Sequence, residues 1–220
     1  MKSTKKQELE FYSKGMLRKK RRLGVNKTGI FSIFVFLIFE GIFLISLWDI
    51  IQVQQWHSLG LIALAIVTLV LPFIFTWLAN RLKIQLPPGF QLFTLIYLFC
   101  TQYLGEIKGF YQSLWWWDLL LHGAFGVFGV ILGTYLLKPH FERKEEVSAR
   151  KYTVLIAIFA YAFSLASSTL WEIFEFVGDL IFPVKMVKGG LEDSLTDLIL
   201  GAIGAALTSL IYYFKSRRSI

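Results

Sequence analysis

The stretch WWWDLLLHGAFGVFGVILGTYLL, residues 115–137, determines the fold class of this chain. A helix of this length reaches about 35 Å, which exceeds the roughly 30 Å hydrocarbon core of a bilayer. Asp118 and His122 are its only acid and its only imidazole. An ionised group costs about 2.5–3.5 kcal/mol at the centre of a spanning helix, even on a lenient scale. The stretch therefore predicts a membrane span that keeps two ionisable side chains for a purpose.

Hydropathy predicts five further spans of similar length. Of the 220 residues, 55% are hydrophobic and 17% are charged, whereas soluble domains have roughly 45–50% and 25%. We predict an all-α polytopic membrane protein, because a spanning barrel would need alternating strands of about ten residues. The approximate limits of the six spans are 29–50, 57–80, 89–107, 115–137, 152–181 and 192–214.

The basic residues predict the orientation of the chain. Of 23 Lys and Arg residues, 20 lie in the segment 1–28, the loops 81–88 and 138–151, and the tail 215–220. Because cytoplasmic loops are enriched in Lys and Arg, six spans place both termini in the cytoplasm. We thus predict a basic N-terminal segment 1–28, a membrane domain 29–214 and a basic tail 215–220. The net charge of +8 reflects this topology, and no nucleic-acid partner is expected.

Ten of the fifteen carboxylates lie in the predicted spans or at their outer ends. On a helix, residues three or four apart share a face. Spans four and six begin, and span five ends, on the extracytoplasmic side, so acids at those ends are predicted at similar depth. The groups with helical spacing are Asp118-x3-His122, Glu172-x2-Glu175-x3-Asp179 and Asp193-x3-Asp197.

Carboxylates together with an imidazole form a ligand set for Mg²⁺, Mn²⁺, Ca²⁺ or Zn²⁺. We predict that Asp118, His122, Glu175 and Asp197 hold one or two such cations and that Glu172 is a general base beside them. The residues predicted at the rim or against a substrate are Glu106, Asp179, Asp193, Lys185 and Lys188. The alternative is that the acids pair with the outer lysines or lie in the aqueous interface, and that His122 is a satisfied interior histidine.

Small residues and tryptophans in the same spans have structural interpretations. Small residues at helical spacing let membrane helices approach closely, and tryptophans gather at membrane–water boundaries. The small residues are Gly123, Gly126, Gly129 and Gly133 on span four, Ser164, Ser167, Ser168 and Thr169 on span five, and Gly201 and Gly204 on span six. We interpret six tryptophans as an aromatic belt, the alternative being that some of them line a lipid or sugar groove; they are Trp48, Trp56, Trp115, Trp116, Trp117 and Trp171.

Three motifs in order resemble a known family. WWDLLLHGAFG (116–126), WEIFEF (171–176) and GGLEDSLTDLILGAIGA (189–205) resemble the YjdF-like family of bacterial inner-membrane proteins. The resemblance covers roughly residues 29–214 and implies a multi-pass protein of the bacterial cell membrane. The second half is also distantly similar to VanZ-like proteins, in which Gln and Asn stand at the positions of Glu175 and Gly201.

Three functions stay open on the sequence. The first is a metal-dependent hydrolase or transferase acting on a lipid-linked or phosphorylated substrate at an extracytoplasmic pocket. The second is a non-catalytic scaffold or partner-binding protein whose acids organise the bundle. The third is a cation- or proton-coupled transporter, which Glu40 at mid-depth of span one favours and the one-sided gathering of the other acids disfavours. All three share the lipid bilayer as a partner.

Overall fold

The structure, a computed structural model, describes residues 29–52, 59–139, 147–181, 187 and 189–217. Every regular element in these ranges is helical, which confirms the all-α prediction. The segment 1–28, residues 218–220 of the tail, Trp56, Lys185 and Lys188 lie outside the described residues. The elements are α1 (Gly29–Gln52), α2 (Leu59–Thr68), α3 (Leu71–Arg81), α4 (Phe90–Leu98), a π-helical segment (Phe99–Ile107), α5 (Phe110–Ser113), α6 (Trp117–Leu137), α7 (Ala149–Ile181) and α8 (Leu191–Arg217).

Among the described residues, five helical stretches are long and apolar enough to cross a membrane. They correspond, within a few residues, to predicted spans one, two, four, five and six. This confirms the prediction of a polytopic membrane protein. The stretches are Gly29–Gln52, Leu59–Arg81, Trp117–Leu137, Ala149–Ile181 and Leu191–Ser216.

The third predicted span, 89–107, is helical but is built in two parts. Gly89 has a φ of +80°, a conformation that glycine adopts without steric cost, and α4 starts directly after it. After nine residues α4 gives way to the π-helical segment, which also has nine residues. Neither part alone has the length of a membrane span. This segment therefore differs from the regular α-helical span that hydropathy predicts. π-Helical turns are rare and occur often at functional sites.

The chain divides into two compact units, of which the first contains the described residues up to Ile74 and Pro88–Cys100. Aromatic side chains join its helices. Phe39 stacks on Phe99 with ring centroids 4.0 Å apart, and Phe36 meets Phe73 edge-on at 5.2 Å. Such pairs contribute about 0.5–1.5 kcal/mol beyond the burial of their surface. The second unit contains Phe75–Pro87 and the described residues from Thr101 onward.

Helix α7, in the second unit, has its large side chains outside and its small ones inside. Ala160, Ser164 and Ser168 are buried, whereas Leu170 and Phe174 are exposed. A soluble helix shows the opposite pattern, since water drives its large apolar residues into the core. In a bilayer the apolar side chains can face lipid, and small residues allow close contact between helices. The pattern therefore agrees with a membrane-spanning helix packed on its small polar face.

Helix α7 packs antiparallel to α6 through that face. A Cβ atom added at Gly129 would lie 2.5 Å from Ser164 Oγ, and one added at Gly133 would lie 3.3 Å from Ala160 Cα. The Ser164 hydroxyl also donates a hydrogen bond of 2.9 Å to the Gly126 carbonyl. Interhelical hydrogen bonds in membrane proteins contribute about 0.6 kcal/mol on average. The two backbones therefore pack at a distance that only small residues allow.

Helix α8 packs parallel to α6. The Cα of Gly126 faces the backbone of Gly201, and a Cβ atom there would clash with the Gly201 carbonyl. Four residues further along each helix, Val130 and Ala205 form a buried core layer with Ala160 of α7. The first turns of α6 and α8 and the last turns of α7 therefore lie at one end of the bundle. That end carries the acids that the sequence places on these three helices.

Candidate functional site

His122 of α6 lies among three carboxylates at this end of the bundle. Its Nε2 atom is 3.4 Å from Asp118 Oδ1 and 3.7 Å from Asp197 Oδ2. Its Nδ1 atom, on the other edge of the ring, is 3.6 Å from Glu172 Oε1. The structure thus brings together four side chains from α6, α7 and α8 that the sequence analysis singles out.

The packing of small residues positions these side chains. Each of the three innermost site residues lies four positions, about one helical turn, from a small residue at a helix contact. Residues four apart share a helix face, so the face that allows close packing also carries the site into the bundle. The pairs are His122 with Gly126, Glu172 with Ser168, and Asp197 with Gly201.

The site is buried, and several of its carboxylate oxygens lack a hydrogen-bond partner among the described residues. His122 and Glu172 are each 7% exposed and Asp197 is 3% exposed, whereas the Asp118 side chain is 30% exposed. Both carboxylate oxygens of Glu172, and Oδ1 of Asp197, are buried without a hydrogen-bond partner among the described residues. Burying a charged group is costly unless it is paired or coordinates a metal. The buried oxygens could therefore bind a positively charged ligand, and Asp118 is the most exposed of the four site residues.

Three of the four residues have the spacing of a metal-ligand set. Asp118, His122 and Asp197 each offer one ligand atom, and these atoms all lie within 4.8 Å of one another. Two ligands at about 2.1 Å from a tetrahedral zinc ion would be roughly 3.4 Å apart. The distances of 3.4 and 3.7 Å from His122 Nε2 to the two aspartates match that spacing within a few tenths of an ångström.

Glu175, predicted as a fourth ligand, has a different neighbour. Its Oε1 accepts a hydrogen bond of 2.9 Å from Trp171 Nε1, one turn earlier on α7. It is not in the group of three residues whose ligand atoms converge. The two glutamates of the WEIFEF motif therefore have different nearest partners, because Glu172 faces His122 and Glu175 accepts a hydrogen bond from Trp171.

Asp179, Asp193 and Glu106, the predicted rim residues that the structure describes, are not part of the converging group. Asp179 Oδ2 accepts a hydrogen bond of 3.0 Å from the Val187 backbone N–H. Asp193 is half-buried, with its side chain close to Gly189, and Glu106 is exposed on the π-helical segment. Lys185 and Lys188 lie outside the described residues.

Trp117 is buried, which the aromatic-belt interpretation missed. Trp115 is 82% exposed, as expected of an aromatic belt, but Trp117 is only 8% exposed and packs edge-on against Phe110. Its indole N–H is buried and has no hydrogen-bond partner among the described residues. The burial of Trp117 could have been predicted from the helix phase, because Trp117 lies four residues before Leu121 on the buried face of α6.

Comparison with known proteins places the chain in a family. No solved structure matches it. A Thermotoga maritima protein described as "Uncharacterized protein" is 27% identical over 135 residues. The matched region is 60% of this chain and 65% of that protein, so the chain covers less than two thirds of this relative. A family model described as "Predicted membrane protein (DUF2238)" matches residues 31–218, and this family fits the YjdF-like resemblance. Since the match covers most of the chain and five helical stretches of the described residues have membrane-spanning length, the protein is a multi-pass membrane protein that belongs to the DUF2238 family.

Proposed function

We propose that this protein binds one divalent metal ion through Asp118, His122 and Asp197. The convergence of these three ligand atoms beside unpartnered carboxylate oxygens is the observation that carries the proposal. Charge balance also supports it. Three carboxylates surround one imidazole, which can offset at most one of three negative charges, whereas a divalent cation offsets two. Burial makes that difference large, because a buried charge without a partner is costly.

The mixed ligand set favours Zn²⁺, followed by Mn²⁺, among the four cations expected from the sequence. Mg²⁺ and Ca²⁺ prefer oxygen ligands only, whereas Zn²⁺ accepts imidazole nitrogen together with carboxylate oxygen. Affinity for such ligands also rises from Mn²⁺ to Zn²⁺. Three protein ligands with an open fourth position are typical of catalytic zinc sites rather than structural ones.

Glu172 acts in this proposal as a positioning residue for His122. A metal-bound histidine almost always donates its other ring N–H to a carboxylate, a carbonyl or water, which fixes the ring and its tautomer. His122 directs Nε2 to the two aspartates and Nδ1 to Glu172. With Nδ1 protonated, Nε2 is free to bind a metal. This role differs from the general base that the sequence analysis assigns to Glu172.

The activity that this site supports best is hydrolysis or group transfer on a lipid-linked or phosphorylated substrate. A metal held here would polarise a phosphoryl oxygen and activate a water molecule. Asp118, the most exposed of the four residues, lies on the side from which a substrate would enter. The concentration of bases in the predicted cytoplasmic segments supports an extracytoplasmic position in the bacterial cell membrane. The distant similarity to VanZ-like proteins stays a prediction.

The metal content of the purified protein tests the proposal. After treatment with a chelator and removal of the chelator, we expect the full chain in detergent to bind one Zn²⁺ per molecule in a calorimetric titration. Binding of Mn²⁺ should be weaker, and binding of Mg²⁺ and Ca²⁺ weaker again. A chain that binds none of the four cations would contradict the metal site.

The two glutamates of α7 provide a matched test of the positioning role. We expect Glu172→Gln to weaken Zn²⁺ binding by about 10–100-fold with one site per chain retained, because a second-sphere carboxylate orients the ligand without binding the metal. Glu175→Gln removes the same charge one turn away and should have a much smaller effect. Equal losses in the two variants would show a general charge effect and refute the specific role of Glu172.

The second candidate function is a non-catalytic scaffold or partner-binding protein. One observation favours it, since the ion-pair geometry centred on His122 joins α6, α7 and α8 without any metal. A protonated His122 would then hold the three helices together. This candidate predicts that the wild type binds no divalent cation and that His122→Gln lowers the thermal stability of the metal-free bundle. The metal proposal predicts instead that the wild type binds Zn²⁺ and that adding Zn²⁺ raises its thermal stability.

A further inference from the structure

A groove with a volume of about 180 Å³ lies between α6 and α8, far from the carboxylate site. It approaches the end of α6 at Lys138, which is sixteen residues after His122 and therefore about 24 Å away along the helix. The lining residues used below are Ile131, Thr134 and Tyr135 on α6, Lys138 directly after α6, and Thr208 and Tyr212 on α8.

The walls of the groove are apolar and its mouth opens on the outer surface of the bundle. Ile131 and Tyr135 are exposed on a helix long and apolar enough to cross a membrane, so they face lipid in a bilayer. The hydroxyls of Thr134 and Thr208 each donate a 2.8 Å hydrogen bond to a carbonyl one turn back in their own helix. With these hydroxyls satisfied locally, the groove fits a hydrocarbon chain better than a polar molecule.

One end of the groove carries a positive charge. Lys138 Nζ lies 4.8 Å from the centre of the Tyr212 ring, over its face. Because α7 runs antiparallel to α6 and α8 runs parallel, the start of α7 and the end of α8 lie at this same end of the bundle. They add Arg150, Lys151 and Lys215. The groove therefore leads from a lipid-facing apolar wall to a basic end. These two parts are complementary to the acyl chain and the negatively charged headgroup of an anionic phospholipid.

We propose that the groove between α6 and α8 binds one anionic phospholipid, with its phosphate on Lys138 and a segment of one acyl chain against Ile131. Lysine is a common phosphate ligand, and the Tyr212 phenol is a further hydrogen-bond donor. Basic pockets between membrane helices bind anionic headgroups in this way. Lys138 follows the last residue of a 21-residue span, where the phosphates of a bilayer lie. The lipid would connect α6 and α8 at the end opposite the metal site.

A charge-neutralising pair of variants tests the headgroup contact. The full-length protein in a nonionic detergent would be titrated with phosphatidylglycerol or phosphatidylcholine, with bound lipid counted by native mass spectrometry. We expect the wild type to prefer phosphatidylglycerol and Lys138→Gln to weaken that binding by about fivefold, the usual contribution of one basic residue near anionic lipid. Lys151→Gln removes the same charge at the same end but outside the groove, and should change little. Equal losses would indicate diffuse attraction and overturn the proposal.

A groove-filling variant tests the acyl-chain contact. Ile131→Trp should reduce phosphatidylglycerol binding at least as strongly as Lys138→Gln, whereas Ile158→Trp, on an exposed position of α7, should not. Both side chains are exposed, and unchanged helicity in circular dichroism would confirm that each variant folds. Water-soluble glycerol 1-phosphate should compete poorly, because it has no acyl chain. Competition as strong as that of the lipid, or full binding by Ile131→Trp, would overturn the proposal.

Discussion

Replacing His122 with alanine is expected to weaken Zn²⁺ binding by at least about 100-fold. Removing a residue that only orients a ligand already costs about 10–100-fold, and removing the ligand itself should cost at least the upper value. The imidazole is the only nitrogen ligand in the converging group, and both aspartates are placed around its Nε2 atom. Without it, two carboxylates remain at a site that no longer discriminates Zn²⁺ from Ca²⁺ or Mg²⁺. Calorimetric titration of the chelator-treated protein in detergent measures this loss.

Two aspartates on α8 supply the matched control for that experiment. Asp197 is buried in the site, and Asp193 lies one turn earlier and half-buried outside the converging group. We expect Asp197→Asn to weaken Zn²⁺ binding by at least about tenfold, whereas Asp193→Asn stays close to the wild type. Both changes convert the same acid to the same amide on the same helix. If the two variants lose affinity equally, the metal is not held by Asp197 and the assigned ligand set is wrong.

Gly126→Ala is expected to destabilise the helix bundle by about 1–3 kcal/mol, the usual cost of an overpacked contact. A Cβ atom at this position would clash with the Gly201 carbonyl, so α6 and α8 would have to separate. Backbone atoms cannot rotate away as a flexible side chain can. The cost should therefore exceed the gain of up to about 1 kcal/mol that alanine brings to a helix. Because Gly126 lies one turn from His122, Zn²⁺ affinity should fall as well.

Gly123→Ala is the control for this change, three residues earlier on the same helix. The nearest atom to a Cβ there is the Leu200 carbonyl oxygen at 3.9 Å, an ordinary van der Waals contact. This variant gains the same helix propensity without the clash, so its stability should be unchanged or slightly higher. Thermal unfolding in detergent, followed by circular dichroism, compares the two. Similar melting temperatures for both variants would contradict the close contact between α6 and α8.

The membrane architecture could be predicted from hydropathy because length and apolar content alone determine whether a helix crosses a bilayer. Five of the six predicted spans have membrane length in the structure. The internal structure of the 89–107 segment could not be predicted in the same way. Gly89 and Gly105 mark local breaks, but they do not specify a π-helical continuation of α4. Alternation of the spans also predicted that Asp118, His122 and Asp197 share one end of the bundle. Which end faces the cytoplasm stays a prediction from the distribution of Lys and Arg.

The sequence by itself determined that acids and a histidine lie at helical spacing in spans that can meet. Only the tertiary structure decided which of Glu172 and Glu175 faces His122. The two are three residues apart, so their side chains leave the helix about 60° apart, and either could face the bundle. The register of α7 against α6, set where Gly129 meets Ser164, turns Glu172 toward His122. Glu175 is left to accept the Trp171 hydrogen bond. Spacing along one helix defines a shared face, but which neighbour that face meets depends on contacts between residues far apart in the chain.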